Sequence, residues 1–265
     1  TTSMEYINSI RPGAFSQELW RKWLKIESLE EFNHIVEQHY LNDTHFQKFN
    51  NLFQLDDINP HKLFQAFIHR SFSHELSLSS IESYERLELI GDSVIELIVT
   101  ENLLTITPKL DEGVISKLRS QFVSKRELSK LGKAVGLGHF IFLGKGESQQ
   151  KLYTLDSLMA DLLEAVIGAV YLNKGLDGAR NFLIKAFELY SLSFGEEFLS
   201  LSRAEGKDYK GRLQEIVMRD KKELPIYTDV ELSSGEFLVT VTVNENVIGK
   251  SIDKSKKQAQ VNAAK

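Results

Sequence analysis

One stretch constrains the fold more than any other. Residues 79–104, SSIESYERLELIGDSVIELIVTENLL, read as one continuous helix. At 100° per residue Leu87, Ile90, Val94, Leu97 and Ile98 fall into one apolar stripe. Glu85, Glu88 and Asp92 stand at i, i+3 and i+7 and share the opposite side, where unpaired like charges cost a few tenths of a kcal/mol each, roughly. Gly91 costs about 1 kcal/mol relative to alanine in a helix interior. A simple surface helix has no reason to accept both penalties. A helix approached closely by a neighbour, around a bound cation, does.

A second helix supplies the neighbour. In LDSLMADLLEAVIGAVYLNKG, Leu162, Leu163, Val166, Ile167 and Val170 make a buried stripe. Asp161 and Glu164 stand at i and i+3, with Gly168 one turn beyond Glu164 on their side. Packed face to face, the two helices would bring Glu88, Asp92, Asp161 and Glu164 into one acidic pocket. The chain has no cysteine, so thiolate sites and disulfides are excluded. Oxygen-only ligands suit Mg²⁺ or Mn²⁺ rather than zinc. A carboxylate pair on a single helix is ordinarily a solvated face; the coincidence of two pairs and two glycines points to a site. A di-iron bundle would need Glu-x-x-His motifs, and neither helix has a histidine at that offset.

With these residues in view, YERLELIGDS resembles the signature of the ribonuclease III family. The resemblance continues upstream in LFQAFIHRSFSHE and downstream through DEGVISKLRSQFVS, LGKGE and ADLLEAVIGAVYLNKG, over about residues 46–190 in order. It implies that Glu88, Asp92, Asp161 and Glu164 are the family's four metal-site acids. Glu85 matches an acid near the site, and Glu112 an acid implicated at the active centre. Leu89 stands where the family's usual phenylalanine packs into a socket on a partner subunit, so a homodimer is implied. YTLDSLMAD departs from the pattern: Leu155 replaces a lysine often found six residues before the second acidic pair.

The formal charge is −5, which alone argues weakly against a nucleic-acid partner, but the charge is uneven. Residues 208–265 hold ten Lys or Arg against nine Asp or Glu, while the acidic excess lies before them. LSLSRAEGKD, small, polar and aperiodic, marks a linker. Beyond it, DYKGRLQEIVMRD reads as a helix capped by Asp208. PIYTDVEL, GEFLVTVTV and NVIGKSI alternate as strands joined by Ser-Gly and Glu-Asn turns. A final helix follows, with Ser255 as its cap. This order, with the LQE and SKK–A–AA patterns, resembles a double-stranded-RNA-binding domain. Such a domain reads the shape, 2′-hydroxyls and phosphates of A-form RNA. Lys254, Lys256 and Lys257 near a helix N-terminus are the expected phosphate contacts, and Gln214 the expected minor-groove contact. The short ELSSGEF loop lacks a Pro-His element frequently found there, which predicts a weaker contact. The sequence stops at Lys265, earlier than the last helix of such a domain usually does, so either the helix is short or the sequence is cut before its end.

Ahead of all this, residues 1–42 predict two helices with packing or an oligomer contact, rather than chemistry, to do. One carries Leu19, Trp23 and Ile26; the other carries Phe32, Ile35 and Tyr40 behind a Ser28–Glu31 capping box. No apolar run approaches twenty residues and no charged-then-apolar leader opens the sequence, which predicts a cytoplasmic chain that does not span a membrane.

The sequence therefore predicts a multidomain protein. A helical extension (1–42) precedes an all-α ribonuclease III endonuclease domain (43–198), a linker (199–207) and an α+β (αβββα) double-stranded-RNA-binding domain (208–265). The resemblance implies metal-dependent hydrolysis of double-stranded RNA in RNA and rRNA processing, leaving 5′-phosphate and 3′-hydroxyl ends with a short 3′ overhang. Fungal ribonuclease III and the budding-yeast Dicer type share these parts. A non-catalytic RNA-binding relative is disfavoured by the presence of all four acids.

Overall fold

The computed structural model describes residues 2–10, 26–76, 82–107, 110–200, 217 and 224–264. The chain forms two compact units, Thr1–Leu199 and Ser200–Lys265. The helices of the first are α1 (Ser3–Ile7), α2 (Leu29–Asn42), α3 (Thr44–Phe53), α4 (Pro60–Gln65) and α5 (Arg70–Leu76), then α6 (Glu85–Ile106), α7 (Glu112–Phe122), α8 (Lys125–Val135), α9 (Lys145–Gln149) and α10 (Asp156–Phe194), the last broken by a kink at Gly175, whose φ is 67°. Side-chain oxygens start several of them. Ser28 Oγ accepts from the Glu31 amide, and Asp43 Oδ1 from the His45 and Phe46 amides, 2.6 and 2.8 Å away. These groups satisfy amides that have no partner within the helix.

The centre of this unit is the pairing of α6 with α10, and the glycines decide its geometry. A Cβ placed on Gly91 would stand 1.7 Å from the Glu164 carbonyl oxygen; one on Gly168 would stand 2.1 Å from the Leu87 carbonyl oxygen. Backbone meets backbone there, in the close approach expected from the two glycines. On the other side of α10, a Cβ on Gly132 of α8 would meet the Met159 carbonyl oxygen at 2.4 Å. Helix α10 is therefore held between α6 and α8, with Leu162, Leu163, Val166, Ile167 and Val170 all at 0 % exposure.

The stripe on α6 differs at Leu97, and Ile90 is half-buried. Leu87, Val94 and Ile98 are buried, but Leu97 is 48 % exposed, while Ile95 and Val99 are buried instead. The contact is centred on Gly91 and Gly168, so the buried face turns toward Gly91 and Ile95, away from Leu97. Glycine has no apolar surface, so a count of apolar residues places the face one position off.

An aromatic cluster closes the rest. The Tyr40 ring stacks on Phe64 at 4.4 Å, and its hydroxyl donates to the Phe140 carbonyl at 2.8 Å. Phe46, Phe49, Phe53 and Phe140 pack around it. The early segments belong to this same core: Tyr6 of α1 is fully buried and donates to the Val135 carbonyl at 2.6 Å. The expected helix around Leu19 and Trp23 lies outside the described residues. Tyr40 and Phe32 of α2 are buried as expected, with Val36 beside them in place of Ile35.

The second unit contains an antiparallel meander of β1 (Ile226–Glu231), β2 (Phe237–Val243) and β3 (Asn246–Asp253), followed by α11 (Lys256–Ala263). Leu238 pairs with Val230 on one side and Ile252 on the other. Asn244 and Glu245 both have positive φ, as a tight two-residue hairpin turn requires. Helix α11 begins with Ser255 Oγ accepting from the Gln258 amide and lies closely on β3, where a Cβ on Gly249 would meet the Ala263 carbonyl oxygen at 2.0 Å. Val239, Val241, Ala259 and Ala263 form the core between sheet and helix. The preceding helix expected from Asp208, including Gln214, lies outside the described residues apart from Val217, which is helical and buried. The linker expected at 199–207 lies outside them from residue 201.

Candidate metal centre

The α6–α10 contact places Glu88 on one helix beside Asp161 and Glu164 on the other. One carboxylate oxygen from each lies within 4.8 Å of the other two. Glu88 and Asp161 are half-buried, and Glu164 is only 5 % exposed. Among the described residues the Glu164 carboxylate has no hydrogen bond or ion pair. Burial first, then the charges of Asp92, Glu88 and Asp161, push its pKa up to about 8. Burial and the neighbouring Asp161 raise that of Glu88 as well. Carboxyls buried and crowded together hold protons in this way.

Asp92, the fourth acid expected here, is exposed and outside the group of three, although its charge acts on Glu164. Glu85 faces outward, 3.8 Å from Arg70 in an ion pair, with the Ser83 hydroxyl donating to it. Glu112 is exposed in the first turn of α7 and does not join the cluster. Leu89 is 74 % exposed, one residue past Glu88. In the second unit Lys254, Lys256 and Lys257 are all exposed around the start of α11, with Lys256 paired to Asp229 at 2.9 Å.

One contact was not visible in the sequence. Lys125 Nζ lies 2.8 Å from Asp161 Oδ1. It joins residues 36 apart on different helices, and neither periodicity nor spacing signals it. A second junction links two of the quoted segments. Ser71 Oγ, hydrogen-bonded to His69 Nδ1, accepts from the Gly144 amide at 2.8 Å, and Glu75 accepts from the Lys145 amide at 2.7 Å. FIHRSFSHE and LGKGE thus form one wall near the acids.

Three oxygen donors from two helices, one buried and unpaired, fit a hard divalent cation: the ligands are carboxylates only, and a cation would remove their mutual repulsion. Among the described residues no helix is long and apolar enough to cross a membrane.

Comparison with known proteins finds two matched stretches. Residues 59–189 match the ribonuclease-III-like family model, and residues 209–265 match the double-stranded RNA binding motif. Ribonuclease 3 of Borreliella burgdorferi is 38 % identical over 221 residues, covering 82 % of this chain and 87 % of that protein. Ribonuclease 3 of Bdellovibrio bacteriovorus is 38 % identical over 213 residues, 78 % of this chain and 88 % of its own. The crystal structure of the nuclease domain of ribonuclease III from Campylobacter jejuni aligns over 58 % of this chain and 99 % of that one, at 29 % identity and a TM-score of 0.50. The chain belongs to the ribonuclease III family, as a double-stranded-RNA-specific endoribonuclease with a helical nuclease unit followed by a double-stranded-RNA-binding unit.

Proposed function

We propose that this enzyme hydrolyses phosphodiesters of double-stranded RNA with Mg²⁺, for which Mn²⁺ substitutes, leaving 5′-phosphate and 3′-hydroxyl ends with a short 3′ overhang. The observation that carries the reading is the convergence of Glu88, Asp161 and Glu164 within 4.8 Å, with Glu164 buried and unpaired among the described residues. Glu88, Asp161 and Glu164 hold the cation, and Asp92 completes the set by turning inward from its exposed position one turn beyond Glu88. Bound there, the cation supplies an activated water and stabilisation of the leaving 3′-oxygen. Glu85, held by Arg70, and Glu112 are accessory acids that add negative potential around the centre.

Duplex RNA is gripped by the second unit. Lys254, Lys256 and Lys257 reach phosphates at the start of α11, where unpaired amides already favour anions, and Gln214 enters the minor groove. Two subunits pair through Leu89, whose exposure in the single chain is supported as an interface by its place beside the acids. An isologous dimer presents two centres to the two strands of a roughly two-fold duplex. Domain limits of 43–198 and 208–265, a cytoplasmic location and a role in RNA processing complete the reading, which the bacterial relatives favour over a fungal type.

The test is cleavage of a plain RNA duplex with Mg²⁺ and with chelator, followed by end analysis of the products. Metal-dependent cuts with 5′-phosphate ends are expected. Cleavage in chelator, or 2′,3′-cyclic ends, would refute the reading.

A further inference from the structure

Among the described residues, Lys125 is the only cation paired with any of the three converging carboxylates. Its position is built in. Ser124 Oγ accepts from the Glu127 amide and starts α8 at Lys125, the first residue of the helix. The same helix meets α10 backbone to backbone at Gly132 and Met159, two residues before Asp161. The root of Lys125 is thus fixed against the helix that carries two of the acids. The side chain of Asp161 is 16 % exposed and that of Lys125 63 %, so the ammonium reaches inward from solvent to a largely enclosed carboxylate. A lysine stem permits the reverse movement as easily.

We infer that Lys125 is an internal counter-cation: it holds Asp161 while the centre is empty, must yield that carboxylate to the divalent ion, and thereby sets how tightly the ion binds. The inference rests on the reading of the acid cluster as a cation centre. Lys125 takes no part in the chemistry. It acts through Asp161, as a positioning residue for metal loading.

A single positive charge about 5 Å from a divalent ion in a water-like medium weakens its binding by roughly tenfold. Removing the charge should therefore tighten binding. The experiment is titration of the full chain with Mn²⁺ alone, without RNA, counting free ion by its electron paramagnetic resonance signal. Wild type, Lys125→Met, Lys125→Arg and Glu164→Gln are compared, and each variant's helical content is checked by circular dichroism. Lys125→Met should bind Mn²⁺ about tenfold more tightly, Lys125→Arg close to wild type, and Glu164→Gln far more weakly. Unchanged or weakened binding in Lys125→Met overturns the counter-cation role and leaves the cation centre standing. A wild-type protein with no saturable Mn²⁺ site that Glu164→Gln removes overturns the centre itself, and this inference with it.

Discussion

Replacing Gly91 by alanine inserts one carbon into the tightest part of the fold. That carbon would lie 1.7 Å from the Glu164 carbonyl oxygen and 2.5 Å from its carbonyl carbon, where real contacts do not fall below 3.0 Å. Moving from 1.7 to 3.0 Å requires the helices to part by about 1.3 Å along that line. The obstacle is backbone, so no side-chain rotation relieves it. Overpacking of this kind costs about 1–3 kcal/mol, against which alanine's better helix propensity returns about 1 kcal/mol. The net loss should be about 0–2 kcal/mol, lowering Tm by up to about 8 °C for a unit of this size. Activity should suffer more than stability. Glu164 is itself the residue struck, and Glu88 lies one turn from Gly91, so the carboxylates separate; a misplacement of about 1 Å costs on the order of 100-fold in rate. The control is Gly113→Ala, on α7, where an added Cβ meets nothing within 4 Å; there the same change should be neutral or stabilising by up to about 1 kcal/mol. Thermal unfolding followed at 222 nm and initial rates on a duplex measure both effects. A Gly91→Ala protein as stable and as fast as wild type would refute the backbone contact and the geometry built on it.

Three further outcomes are expected. In metal-free protein the Glu164 pKa stands at about 8 against an ordinary 4.5, so between those values the folded state binds more protons than the unfolded one. Its stability should therefore fall as pH rises through that window, and urea midpoints in chelator should show a flatter fall for Glu164→Gln. Changing Lys254, Lys256 and Lys257 together to alanine should weaken duplex binding and flatten log K against log salt by somewhat less than about one unit for each phosphate no longer engaged; cleavage should recover at low salt or saturating RNA, and an unchanged slope would remove these lysines from the interface. Leu89→Asp should convert the dimer to monomer in sedimentation equilibrium, whereas a dimer of undiminished strength would place the interface elsewhere.

What the sequence made legible follows from what periodicity can encode. The α6–α10 pairing was readable because each helix carries its apolar face, its acids and its glycine at fixed angular offsets, and three of the expected acids do converge. Leu97 was misplaced because the tight face is built on glycines, which carry no hydropathy signal. The side-chain turn of Asp92 is a rotamer choice, which no spacing specifies. The turn between β2 and β3 was readable from strand alternation on both sides, but it falls on Asn244–Glu245, one residue before the expected Glu-Asn pair. Lys125 was not, since its partner comes from another helix and only tertiary packing joins them. The same holds for Tyr6, whose burial against Val135 depends on a core assembled from distant segments.

The most direct test is to crystallise the nuclease in Mn²⁺ and locate the ion by its anomalous signal. The peak should sit at ordinary metal–oxygen distance from carboxylates of Glu88, Asp161 and Glu164, with Asp92 rotated toward it and Lys125 withdrawn from Asp161. A peak elsewhere, or these three carboxylates unchanged and without an ion at saturating Mn²⁺, would contradict the account.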